Sequence, residues 1–180
     1  MYNETRGLVN KAVSSGDEMS FLKKLFGGKA EHEESPLDYD AMHILDAEDL
    51  AEQGIKSAYD DLLPALREFV ECPAEVVESV DEEKPSYSIS VNSIEHLVYS
   101  ADHPGSEEES WGRATYILFA LVNQQLTESD VSFYAINGGN DLGGMFLTKE
   151  QVDQARRSLS QKSDWPYLPT SEAPYYGQFH

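Results

Sequence analysis

One cysteine, Cys72, stands in 180 residues, so an intrachain disulfide and a cysteine-rich zinc site are both excluded. Positive charge is scarce as well: 13 Lys and Arg oppose 33 Asp and Glu, a formal net charge of -20. A field of that sign repels phosphate backbones and anionic lipid and attracts basic partners, which argues against direct nucleic-acid binding. No apolar run reaches the roughly 18–20 residues that a membrane-spanning helix needs, and the start MYNETRGLVNKAV has no continuous apolar segment of a secretory signal. These absences together predict a cytoplasmic protein without a membrane span. Hydrophobic residues still make up 40% of the chain and aromatics 11%, enough for a buried core.

The charge is uneven. Residues 30–85 hold 18 acids against Lys56, Arg67 and Lys84, whereas residues 131–180 hold five acids against four bases. Residues 1–29 read as an N-terminal extension in which Met19, Phe21, Leu22, Leu25 and Phe26 line one side of a short amphipathic helix. "MSFLKKLFGG" also reads as a protein start, which would make Met1 to Glu18 an upstream extension. After a linker, "GGKAEHEESP", residues 30–180 are expected to form a single acidic α+β domain.

Within it, Ala47, Leu50, Ala51, Ile55, Ala58, Tyr59, Leu62, Leu66 and Phe69 recur at three- and four-residue steps, the pattern of an amphipathic helix. Asp46 is its expected N-cap, and Pro64 is expected to kink it or begin a second short helix. "CPAEVVESVDEEKP" reads as a connection with some order at Val76 and Val77. "SYSISV" and "SIEHLVYS" alternate as strands do, and Ser106 with Glu109 forms a capping-box pattern ahead of the apolar helix "WGRATYILFALVNQQL". "DVSFYAI" and "GMFLT" predict a strand pair. Between them Asn137, Gly138, Gly139, Asn140 and Asp141 suit a hairpin reversal, with Gly143 and Gly144 reserved for a bulge or a close approach. Thr148 and Gln151 form a second capping box before "KEQVDQARRSL". Three prolines and five large aromatics from Trp165 to Phe179 predict an extended arm anchored on the body. The resulting expectation is an antiparallel sheet of about four strands covered by helices.

Catalytic patterns are weak. "GGNDLGGMFLTKE" has the spacing of neither phosphate-loop motif, and Asp141 would repel an anion. His96, His103, Glu95 and Asp102, or His32 with Glu31, Glu33 and Glu34, supply metal-ligand types without metal-ligand spacing. No GxSxG is present, and no motif for a cofactor. The acidic segment therefore carries the most functional content. Asp38, Asp40, Asp46, Asp49, Asp60 and Asp61 would steer a basic protein surface, and Tyr39 and Tyr59 would anchor it. In size, acidity and style, with "NGGNDLGGMFLT" and "DWPYLP" as its quotable stretches, the chain resembles the immunity proteins of bacterial toxin systems. The resemblance implies a non-catalytic protein that binds and occludes a cognate basic toxin or effector, such as a nuclease. Two alternatives stay open: a structural or regulatory adaptor that self-assembles through its aromatic arm, and a metal-dependent hydrolase using the His96/His103 region.

Overall fold

The computed structural model describes residues 36–179. The expected N-terminal helix and the His32 cluster lie outside that range. Chain order begins with a 3-10 turn, Tyr39–Ala41, followed by β1 (His43–Ile44) and a short helix α1 (Ala47–Asp49). An irregular turn, Leu50–Gly54, leads into α2 (Ile55–Leu66), and β2 (Val76–Asp81), β3 (Ser86–Val91) and β4 (Ile94–Ser100) follow. The long helix α3 (Ser110–Gln125) precedes β5 (Val131–Ile136), β6 (Gly143–Thr148) and α4 (Lys149–Ser158). All of these belong to one compact unit, Pro36–His180.

The architecture is α+β, with one correction to its sheet. Instead of about four strands in one sheet there are two antiparallel three-stranded sheets, ordered β1-β6-β5 and β2-β3-β4. Two strands escaped the sequence pattern. Glu78 and Asp81 interrupt the apolar alternation of β2, yet all six of its residues pair with β3. The two-residue β1 is too short to show a period and exists because His43 and Ile44 pair with Gly144 and Gly143.

Helix α3 lies at the centre, as its nearly all-round apolar segment predicts. Ala114, Leu118 and Val122 are fully buried, and the helix packs against α1, α2, β4 and β5. Phe119 stacks on Phe133 at 4.7 Å, and Phe133 in turn meets Phe146 at 4.7 Å, which ties α3 through β5 to β6.

Asp46 caps α1 as expected, accepting from the Glu48 and Asp49 amides at 2.8 and 3.3 Å. The helix break, however, is not at Pro64. That proline sits in the last turn of α2, and the helix continues through it for two more residues. The chain instead leaves helical geometry at Glu52 and Gln53, the latter at φ 75°. Gly54 is needed at the restart, because a Cβ there would lie 2.4 Å from the Asp49 carbonyl oxygen.

No local side chain caps α2. The β2-β3-β4 sheet does so: the Ile55 amide donates to the Tyr87 hydroxyl at 3.2 Å, and the Lys56 amide donates to Glu78 Oε1 at 3.0 Å. Tyr87 also donates to Glu78 Oε1 at 2.6 Å. Tyr87→Phe should therefore cost about 1–2 kcal/mol, because it strands the Ile55 amide. Burial and the adjacent Glu78 push the Tyr87 hydroxyl far above the usual tyrosine range, and burial pushes Tyr167 up to about 12. A raised folded-state pKa gives stability that is complete below the unfolded value of about 10 and is lost as pH rises above it. Tyr167 alone then accounts for about 2–3 kcal/mol lost between pH 10 and 12. Urea unfolding followed from pH 8 to 12 should show this decline, and Tyr87→Phe should flatten it.

The second expected capping box is present, with the Thr148 amide donating to Gln151 Oε1 at 2.8 Å and the Gln151 amide to Thr148 Oγ1 at 3.3 Å. The first is not. Ser106 is buried and faces back to β4, where its hydroxyl accepts from the Ser100 amide and donates to the Ser100 carbonyl.

The hairpin forms where "INGGNDLGG" places it, with Asn137 at φ 57° and Gly139 at φ 62°. Gly143 and Gly144 make no bulge, since β5 and β6 stay in register throughout. Gly144 admits a close approach by a side chain, the Phe133 ring, rather than by backbone.

The aromatic arm is anchored on the body. Ala135 and Tyr167 exchange both backbone hydrogen bonds, extending the β1-β6-β5 sheet by one bridge. Tyr167 donates to the Asn137 carbonyl at 2.9 Å and Trp165 Nε1 to the Leu159 carbonyl at 3.1 Å, while Arg156 lies 5.1 Å from the centre of the Phe179 ring.

Candidate partner-binding face

Strand β1 is an outer strand of its sheet, and its second residue, Ile44, is 85% exposed. An open groove of about 690 Å³ runs from it along α1 and the start of α2, and Asp46, Asp49, Glu52 and Asp61 line that groove together with His43 and Asn140. The turn Leu50–Gly54 brings these acids to one wall, for it redirects the chain between Asp49 and Asp61 without a long loop. A second depression, about 570 Å³, shares Ile44 and Asn140 with the groove and is lined by Met42, Asp141 and Asp164 among others. Ile44 thus borders two depressions, each with carboxylate residues in its lining.

The carboxylates have few internal counterions. Among the described residues two ion pairs form, Lys56 with Asp60 and Arg113 with Glu109, both four residues apart on a helix. Among the described residues no Lys or Arg pairs with Asp46, Asp49, Glu52 or Asp61. His43 does not offset their charge near neutrality, because partial burial lowers its pKa from 6.5 and favours the uncharged ring. That ring lies edge-on to Phe133 and Phe146 at 6.2 and 5.9 Å.

The residues selected from sequence divide into three groups. Asp46, Asp49 and Asp61 come together in the groove, with Asp46 also holding the α1 cap. Asp38, Tyr39 and Asp40 occupy the 3-10 turn that leads into β1, outside the groove lining, and Asp60 is engaged by Lys56. Tyr59 has to be corrected. It is 1% exposed and donates to the Ala74 carbonyl at 2.8 Å, so it is a core residue and not a surface anchor. It falls on the buried stripe of α2, where a tyrosine hydroxyl can reach backbone.

Sequence reasoning missed Ile44, Glu52 and Asn140. Ile44 stood in the short run "MHIL", where nothing separates an exposed position from a buried one. Asn140 is brought into the groove by the hairpin, where its amide donates to Glu48 Oε2 at 3.2 Å.

The residues considered for metal chemistry are dispersed. His96 lies on β4 opposite Ile89, Glu95 accepts a 2.6 Å hydrogen bond from Ser88, and Asp102 and His103 belong to the loop after β4. No three His, Cys, Asp or Glu side chains are grouped to hold a metal ion among the described residues. No helix among them is long and apolar enough to cross a membrane. Compared with protein-family models, curated proteins and solved structures, the chain gives no match.

Proposed function

We propose that this protein is a non-catalytic binding protein of the immunity type, which captures a basic toxin or effector through Ile44 and the neighbouring carboxylates and occludes that partner's working surface. The observation that carries this reading is the combination at one place of an 85% exposed isoleucine on an outer strand and four groove carboxylates that no Lys or Arg among the described residues neutralises. Charge of this kind accelerates encounter with a positive surface, while a central apolar side chain supplies contact area that survives at high salt. A toxin that acts on nucleic acid suits it best, because its own basic groups are what an acidic inhibitor competes for.

The alternative of an adaptor that assembles through its aromatic arm draws less support. The arm residues Trp165, Tyr167 and Tyr176 are engaged on their own body, Tyr176 lying against Gly112 of α3.

The test is coexpression with the C-terminal domain of the neighbouring gene's product. Growth rescue is the expected result, and toxicity without rescue would remove the proposal. With a partner identified, Asp49→Asn with Asp61→Asn should slow association several-fold at low salt and much less at ~1 M, where the screening length falls to about 3 Å. Ile44→Ala should raise Kd about tenfold, mainly through faster dissociation. Stopped-flow association and dissociation rates separate the two effects.

A further inference from the structure

A third cavity, about 710 Å³, opens between the irregular turn Leu50–Gly54 and the loop joining β4 to α3. Tyr99 and Trp111 line it together with the acidic residues Glu52, Glu107 and Glu108 and with His103. Glu52 lines this cavity and the Ile44 groove alike.

We infer that this cavity receives an arginine side chain of the basic partner, with the guanidinium held between the Trp111 and Tyr99 surface and the Glu52, Glu107 and Glu108 carboxylates. The inference rests on the binding-protein reading above and assigns it a second contact. Trp111 is 40% exposed, an unusual position for an indole in the first turn of a central helix, and it has neither a ring partner nor an indole hydrogen bond among the described residues. The three glutamates likewise form no ion pair. Arg113, the nearest basic side chain in sequence, is committed elsewhere: it donates to the Val98 carbonyl at 3.0 Å and pairs with Glu109.

The walls are held in place before any ligand arrives. Ser106 ties the loop to both backbone groups of Ser100, the Ser110 hydroxyl donates to the Glu107 carbonyl at 2.7 Å, and the Ala101 amide donates to the Pro85 carbonyl at 2.8 Å. Across the cavity Gln53 is fixed at φ 75°, a conformation that a non-glycine residue adopts only where its surroundings enforce it. The N-terminus of α3 opposes a cation with about half a positive charge, which three carboxylates outweigh. Guanidinium fits this combination better than ammonium, since its plane stacks on aromatic rings while its edge forks onto carboxylate.

The probe is N-acetylarginine amide added to the full chain, with the neutral isostere N-acetylcitrulline amide as control. Of the two tryptophan indole NMR signals, the one lost in Trp111→Phe should shift saturably with the arginine compound and not with citrulline. Glu107→Gln with Glu108→Gln should weaken that binding about five- to tenfold. Glu150→Gln with Asp153→Asn, exposed on α4 and in the lining of neither cavity, should leave it within about twofold. An equal response to citrulline, no saturable shift, or indifference to the glutamate substitutions overturns the inference. The exposed glutamates can be changed without touching the core, so a failure of the test cannot be traced to misfolding. Because this readout uses no toxin, it fails separately from the growth-rescue test: rescue without an arginine response leaves the Ile44 face standing alone.

Discussion

Replacing Asn123 by leucine is expected to cost the fold about 2–4 kcal/mol, although the residue is only partly buried and takes no part in the acidic face. Its side-chain amide serves as a substitute strand. Nδ2 donates to the Phe133 carbonyl at 2.9 Å, and Oδ1 accepts from the Phe133 amide at 2.8 Å. Strand β5 pairs with β6 along one side, and along the other its backbone groups are satisfied at Phe133 by Asn123 and at Ala135 by Tyr167. Leucine would strand an amide and a carbonyl beside a core aromatic, at about 1–3 kcal/mol for each group left unmade, offset in part by added apolar contact. At about 2–4 °C per kcal/mol for a domain of this size, Tm should fall by roughly 5–15 °C. The exposed outer edge should also promote association, because an unpaired strand is a template for another chain. Calorimetry with light scattering measures both. A fall of less than about 2 °C with no association would mean that solvent satisfies Phe133 in place of the amide.

Gly144→Ala should be at least as damaging, by about 3 kcal/mol or more. The added Cβ would lie 2.1 Å from Phe133 Cζ, inside van der Waals contact. A ring tip can often yield, but this one is fully buried, with Phe119 stacked at 4.7 Å and Phe146 at 4.7 Å, so relief requires moving α3 or β6. Overpacking of a well-filled core costs about 1–3 kcal/mol and more where the neighbours cannot relax. The effect reaches the partner face as well, because Gly144 is the β6 residue paired with His43 of β1. Partner binding should therefore weaken together with stability. Adding Phe133→Leu should recover part of the loss in a double-mutant cycle, since it removes the atom that is struck. Simple additivity of the two substitutions would show that the strain lies elsewhere.

Most elements could be read from the chain. The three- and four-residue spacing of Ile55 through Leu66, the alternation of Tyr87, Ile89 and Val91, the Thr148–Gln151 box and the Asn-Gly-rich hairpin each encode a local geometry, and each formed. These signals survive because they depend on contacts within a few residues. Half of the proposed site was legible for the same reason: Asp46 was identifiable as a helix cap, and capping placed it and its neighbours at a defined turn.

What failed to show depends on partners far away in sequence. Tyr59 and Tyr39 are both tyrosines in an acidic segment, yet one is core and the other 43% exposed, a difference set by Ala74 and Gln125 closing over Tyr59. The helix break at Gln53 was hidden because the cap that permits the restart, Tyr87 with Glu78, comes from another sheet. Composition and local spacing by themselves determined an acidic α+β protein with its helices, its hairpin and an anchored aromatic arm. Only the tertiary structure decided that the strands divide into two sheets, that Ile44 stands exposed beside an acidic groove, and that Glu52 lines both that groove and the Trp111 cavity. Local sequence sets backbone preference, but exposure is a property of surfaces, fixed by whichever distant residues arrive to cover them.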